Sequence, residues 1–150
     1  MSYIMDLRKV VGHRPLLQVG ASVIVVDECG RILLQLRSDN KTWGYAGGSV
    51  EIDENVEDAA KRELYEETGA VDFDIEPLCD YFIDGELNGF HYNGNGQVYF
   101  AIVHKLNNIP SNSEMKKIGR FDSLPDELTY PLLRDYFEIA VKKKKTKLTI

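Results

Sequence analysis

The stretch "GGSVEIDENVEDAAKRELYEETGA", residues 47–70, constrains this chain more than any other. Asn55, with Asp58 three positions on, reads as a helix N-cap, and Gly69 reads as a helix stop. A helix is therefore expected from about Val56 to Thr68. At about 100° per residue, Val56, Ala59, Ala60 and Leu64 form the apolar arc by which it would pack. Glu63 and Glu67 fall inside that arc and Glu66 at its edge. Glu57, Asp58, Lys61, Tyr65 and Thr68 cover the other side, as a solvated face should.

Carboxylates on a packing face need compensation. Spacings of i, i+3 and i+4 make the three neighbours on one patch. At about 6 Å and an effective dielectric near 20, each like-charge pair costs on the order of 3 kcal/mol. Protonation would relieve this, as would salt bridging, although Arg62 is expected to reach only some of the three. A divalent cation answers it best, and clustered carboxylate oxygens suit hard ions such as Mg²⁺ or Mn²⁺. The paired glycines Gly47 and Gly48 allow close backbone approach just before the patch. Glu54 and Arg62, eight apart, could bridge loop and helix.

The rest of the chain supplies the frame. "LLQVGASVIVV" (16–26) reads as a strand, "DECG" as a turn and "RILLQLR" (31–37) as the returning strand. "SDNKTWG" reads as a polar loop. Strands are expected near 71–84 and 97–105, with "HYNGNG" (91–96) as the turn between them and "KIGRFDSL" as one more short strand. Leu132, Leu133, Tyr136, Phe137 and Ala140 have helical spacing, so a last helix seals the core. The expected fold class is α/β, a mixed sheet with helices packed on it in one domain of 150 residues.

The acidic box resembles the signature of the Nudix hydrolases. Gly48, Glu54 and the run Arg62-Glu63-Leu64-Tyr65-Glu66-Glu67-Thr68-Gly69 fill that pattern without a gap. Ala70 departs from it, where a larger aliphatic residue is usual, and so does Ala46, where many members have proline. The resemblance implies a Nudix α/β/α sandwich and hydrolysis of a nucleoside diphosphate linked to another group, with Mg²⁺ or Mn²⁺. It implies that Glu63, Glu66 and Glu67 serve as metal ligands and base, with a backbone carbonyl, that of Gly47, completing the ligand set. Glu54 and Arg62 would orient them, and Glu114, in a later loop, is a candidate further ligand. The general base is left open among the glutamates.

Outside the box, Arg37 could reach a phosphate, and Tyr45 and Trp43 could line a nucleotide pocket beside Gly48. Phe90 and Tyr92 could stack on a base, although loop aromatics more often anchor loops. His13, His91 and His104 are isolated and read as structural or surface residues. Acidic residues number 24 against 18 basic, a net charge of −6. Five lysines crowd the last nine positions, so the body is more acidic still. That argues against a broad nucleic-acid surface, and is compatible with an acidic substrate, such as the small nucleotide the resemblance implies, only if something cationic bridges the two. The lysine run 142–150 reads as a flexible, solvated end. Two widely spaced cysteines, no apolar run long enough to span a bilayer and no visible export signal suit a cytoplasmic protein. The chain could work alone or as a homodimer. Removal of pyrophosphate from RNA 5′ ends is an alternative reaction, and a non-catalytic nucleotide-sensing module an alternative of another class.

Overall fold

The computed structural model describes residues 2–37, 41–87, 89–107, 117–130 and 132–148. Among these, three helices pack on a seven-stranded mixed sheet. In chain order the elements are α1 (Tyr3–Val11), β1 (Leu16–Asp27), β2 (Ile32–Leu36), β3 (Trp43–Gly44), β4 (Ala46–Ser49), α2 (Val56–Thr68), β5 (Ala70–Leu87), β6 (Phe90–Leu106), β7 (Lys117–Phe121) and α3 (Leu132–Leu148).

The sheet runs β3-β2-β1-β6-β5. Its centre is a parallel pair, β1 beside β6, from Leu16 opposite Tyr92 to Asp27 opposite Val103. The remaining pairings are antiparallel, and β1 divides its free edge between two partners. Its first half pairs β4, with Ala21 opposite Gly48, and its second half pairs β2, with Val25 opposite Leu33. This division opens the sheet beside the paired glycines.

Residues of β1 alternate between two cores. Val23 and Val25 face α2, where they pack with Leu33, Ala59, Ala60, Leu64 and Ala101. Ile24 and Val26 face α3, with Ile32, Leu34, Phe100, Leu133 and Tyr136. Helices on both faces of one sheet make the expected three-layer sandwich. Side-chain hydroxyls fasten α3: Tyr45 donates to the Leu133 carbonyl at 2.6 Å, and Tyr136 donates to the Phe82 carbonyl at 3.2 Å.

Three readings need correction, and one helix lies where none was expected. Residues 91–96 are strand, not turn: β5 runs to Leu87 and β6 already begins at Phe90. Their glycines serve contact: a Cβ on Gly96 would lie 2.8 Å from the carbonyl carbon of Gly20 on the neighbouring strand, and one on Gly94 would lie 3.0 Å from the Tyr81 ring. Thr68 is buried rather than solvated, because it follows Leu64 by one turn and hydrogen-bonds the Leu64 carbonyl. The lysine run is helical to Leu148, and Lys143 donates to the Leu78 carbonyl at 2.7 Å, tying α3 to β5. Finally, α1 went unread, although Ser2 caps it through Met5 N and Ile4, Leu7 and Val11 share one face.

Candidate active site

Helix α2 forms as its sequence dictates. Asn55 Oδ1 accepts from Asp58 N at 2.8 Å, and Gly69 ends the helix at φ 77° while its N–H bonds the Tyr65 carbonyl. Ala59, Ala60 and Leu64 are fully buried, so the helix is seated on the sheet in one rotation. That rotation carries Glu63 and Glu67 toward β4, as the helical geometry requires.

Arg62 binds the patch together. Its Nη2 and Nε take the two oxygens of Glu54 at 2.6 and 3.0 Å. Nη1 lies between Glu63, at 2.8 Å, and Glu66, at 3.2 Å, and Nη2 also donates to the Ser49 carbonyl at 3.1 Å. One guanidinium thus joins the loop before the helix, strand β4 and the helix itself. Of the three glutamates on the patch it bonds Glu63 and Glu66, in keeping with the expectation that it reaches only some of them, and much of the repulsion on the helix is met here. The hydrogen bonds to Glu54 are the main reason Arg62 holds its proton more tightly than usual.

The glycines fit against these carboxylates. A side chain at 48 would strike the Glu63 carboxylate, its Cβ 2.7 Å from Glu63 Cδ. At Gly47, with φ 156°, a Cβ would lie 2.9 Å from Ser22 Cα. The Gly47 N–H instead donates to Glu67 Oε1 at 3.2 Å. Three carboxylates, those of Glu54, Glu63 and Glu66, share one guanidinium, so that network remains anionic. Its oxygens are the hard donors that Mg²⁺ or Mn²⁺ takes. Among the described residues, no three acidic, histidine or cysteine side chains converge on one point as they stand. Glu66, at 45% exposure, can turn without moving the helix. The chemistry of the donor set therefore fits a divalent ion.

Beside this cluster lies a cleft of about 220 Å³. Gly47, Gly48 and Glu67 form one side, Arg37 and Gln35 come from β2 and its end, and Tyr45, Tyr81 and Tyr130 add aromatic wall. Burial pushes the Tyr81 phenol up to about 12 and raises that of Tyr45 as well. Both are neutral at physiological pH. Trp43 holds its loop instead, packed edge-on to Phe121 at 4.8 Å between centroids, with its backbone bonded to Glu127 and Thr129.

Arg37, Tyr45 and Gly48, singled out in the sequence, come together in this cleft. Phe90 does not join them: its ring stacks on His13 at 4.2 Å, under Arg8. His91 pairs with Asp84, and His104 bridges Glu28 and Asp74. Glu114 and the Tyr92 side chain lie outside the described residues. Gln35, Tyr81 and Tyr130 were not read as site residues. Gln35 did leave a signal, as the lone amide inside the apolar run "RILLQLR".

The Arg62 hydrogen bonds hold the Glu54 carboxyl below its usual range, against the opposing effect of burial and with help from the Glu51 N–H. A depressed folded pKa contributes stability at neutral pH that is lost as pH falls from the unfolded value, about 4.3, through the folded one. The stability gap between wild type and Glu54→Gln should accordingly be constant above about pH 5 and close below it. Denaturant titrations from pH 7 to pH 3 measure it, and a gap that persists to pH 3 would refute the pairing.

A family model described as the NUDIX domain matches residues 16–129. A MutT-like protein of Streptomyces ambofaciens is 47% identical over 55 residues, 37% of this chain and 36% of that protein. An RNA pyrophosphohydrolase of Actinobacillus pleuropneumoniae is 31% identical over 67 residues, 45% of this chain. The alignment spans 31% of that protein, so these matches cover about a third of the relatives' lengths. The crystal structure of a MutT NUDIX hydrolase from Burkholderia pseudomallei superposes with a TM-score of 0.57 at 30% identity, covering 82% of this chain and 97% of that one.

Proposed function

Since the chain belongs to the NUDIX family, we propose that it is a divalent-metal-dependent pyrophosphohydrolase that cleaves a nucleoside diphosphate linked to another group. The observation that carries this reading is the position of Glu67, which accepts the Gly47 N–H and lines the cleft beside Gly48. A cleft lined by Glu67 and Arg37 on the one hand and by tyrosines on the other suits a substrate with a charged diphosphate and a flat apolar end.

Glu63, Glu66 and Glu67, with the Gly47 carbonyl, would hold the metal. Bound there, it would neutralise phosphate charge and acidify water. Arg62 keeps Glu54, Glu63 and Glu66 in register. A glutamate not engaged as a ligand removes the proton of the attacking water as its oxygen bonds to phosphorus and the bridging P–O bond breaks, the bridging oxygen leaving with the bonding pair on the departing phosphate. Arg37, at the end of β2, would meet a phosphate, and Tyr45 and Gly48 shape the wall that the nucleoside lies on.

Turnover of nucleotide substrates, read as phosphate or pyrophosphate release, tests this. It should appear with Mg²⁺ or Mn²⁺ and vanish in excess chelator. Undiminished turnover after verified metal removal would overturn the mechanism, and nucleotide binding without turnover would favour a sensing module. The match to an RNA pyrophosphohydrolase favours RNA bearing a 5′-triphosphate as a second substrate to include. The acidic body favours the small nucleotide.

A further inference from the structure

Gln35 is out of place in β2. Ile32, Leu33 and Leu34 before it are at most 1% exposed, and Gln35 itself is 5% exposed. An amide in such surroundings has to find partners for both of its ends. Its Nε2 donates to the Tyr45 carbonyl at 3.4 Å. This long bond favours the orientation with Nε2 toward Tyr45, because the reverse would set oxygen against oxygen. Gln35 Oε1 then has no hydrogen-bond partner, and it is the one buried side-chain polar atom in that condition among the described residues. Gln35 lines the cleft that also holds Glu67 and Gly48.

A buried acceptor left unmet costs the folded state, and a ligand that supplies the donor recovers that cost. The cleft, about 220 Å³, is smaller than the roughly 300–1,000 Å³ typical of sites that enclose a drug-sized ligand. It has room for one ring system, not for a nucleotide with its phosphate chain. Tyr45, Tyr81, Tyr130 and Leu133 give it the flat, uncharged walls that suit a nucleobase better than a ribose.

We propose that Gln35 reads the nucleobase: its Oε1 accepts a hydrogen bond from an N–H on the edge of the base, with the phosphates directed toward Glu67. This rests on the nucleotide reading above and adds to it the feature by which one base is chosen over another. Specificity follows because a base that lacks the donor leaves the buried oxygen unmet.

Calorimetric binding of nucleoside 5′-monophosphates, without metal, tests it independently of turnover. Three pairs each delete one donor: guanosine against inosine, adenosine against purine riboside, and uridine against N3-methyluridine. Wild type should lose at least about tenfold in affinity across one pair. Gln35→Met, of similar length and without an acceptor, should bind both members of that pair equally. Gln35→Glu, which keeps an acceptor, should retain the preference, and it serves as the test should Gln35→Met fail to fold. Equal binding across all three pairs by wild type overturns the proposal, as does a preference that survives in Gln35→Met. A preference that appears only between ribose and 2′-deoxyribose forms also overturns it. Base preference with no turnover would sink the hydrolase reading alone, and turnover without base preference would sink this one alone.

Discussion

Glu67→Gln should lower kcat/KM by at least about a hundredfold, a loss of roughly 2.7 kcal/mol of transition-state stabilisation. The same change at Glu57, on the exposed face of α2, should do little. Glutamine keeps the shape of the side chain, and its oxygen can still accept the Gly47 N–H. What it loses is one negative charge beside Glu63 and Glu66. Without metal that loss relieves repulsion, so the variant should melt at or above the wild-type temperature. With Mg²⁺ the wild type should gain stability through binding to the folded state, and the variant should gain less. Four melting curves decide it. A variant that melts lower without metal yet gains as much from Mg²⁺ would make Glu67 a structural partner of the Gly47 loop.

Arg62→Met should be the most damaging change to the fold at this site. It removes the bidentate partner of Glu54 together with the bonds to Glu63, Glu66 and the Ser49 carbonyl. Stripping one partner from a fully buried pair costs about 3–5 kcal/mol. The Arg62 side chain is 30% exposed and Glu54 16%, so screening reduces the expected loss to about 2–3 kcal/mol. In a chain of this size that lowers the melting temperature by about 5–10 °C. Arg62→Lys should recover only part of it, because an ammonium cannot span Glu54, Glu63 and Ser49 at once. A methionine variant that melts within about 2 °C of wild type would show that the network is ornamental.

The helix was legible because its signals are local: a cap, a stop and a periodic face lie in one unbroken stretch of chain. The glutamates announced themselves by violating that periodicity. Where a residue answers to a distant partner, reading failed. Gly96 looks like a turn glycine until Gly20 is placed against it. Strands β3 and β4, two and four residues long, are defined by the strands they pair with. Gln35 could be noticed but not interpreted, since the cleft it serves is assembled from all the strands but β7, from α2 and from the residues around the start of α3. The α1 pattern is present in Ser2, Ile4, Leu7 and Val11, but it is a short helix with a weakly covered apolar face. None of its residues is fully buried.

The parallel seam between β1 and β6 also sets an order of events as the chain is made. A strand beginning at residue 16 finds its central neighbour only when β6, which meets it from Tyr92 onward, has been synthesised. Until then β1, whose last seven residues are all buried in the finished fold, can satisfy only one edge, through β2 and β4. The loop to be closed is long and its closure slow, as for other sheets joined across distant segments. Nascent or refolding chains therefore expose an adhesive edge of Val and Ile for most of the time that folding takes. Yield on refolding should fall with concentration more steeply than stability alone would dictate, and the species that aggregates should have β1 unpaired.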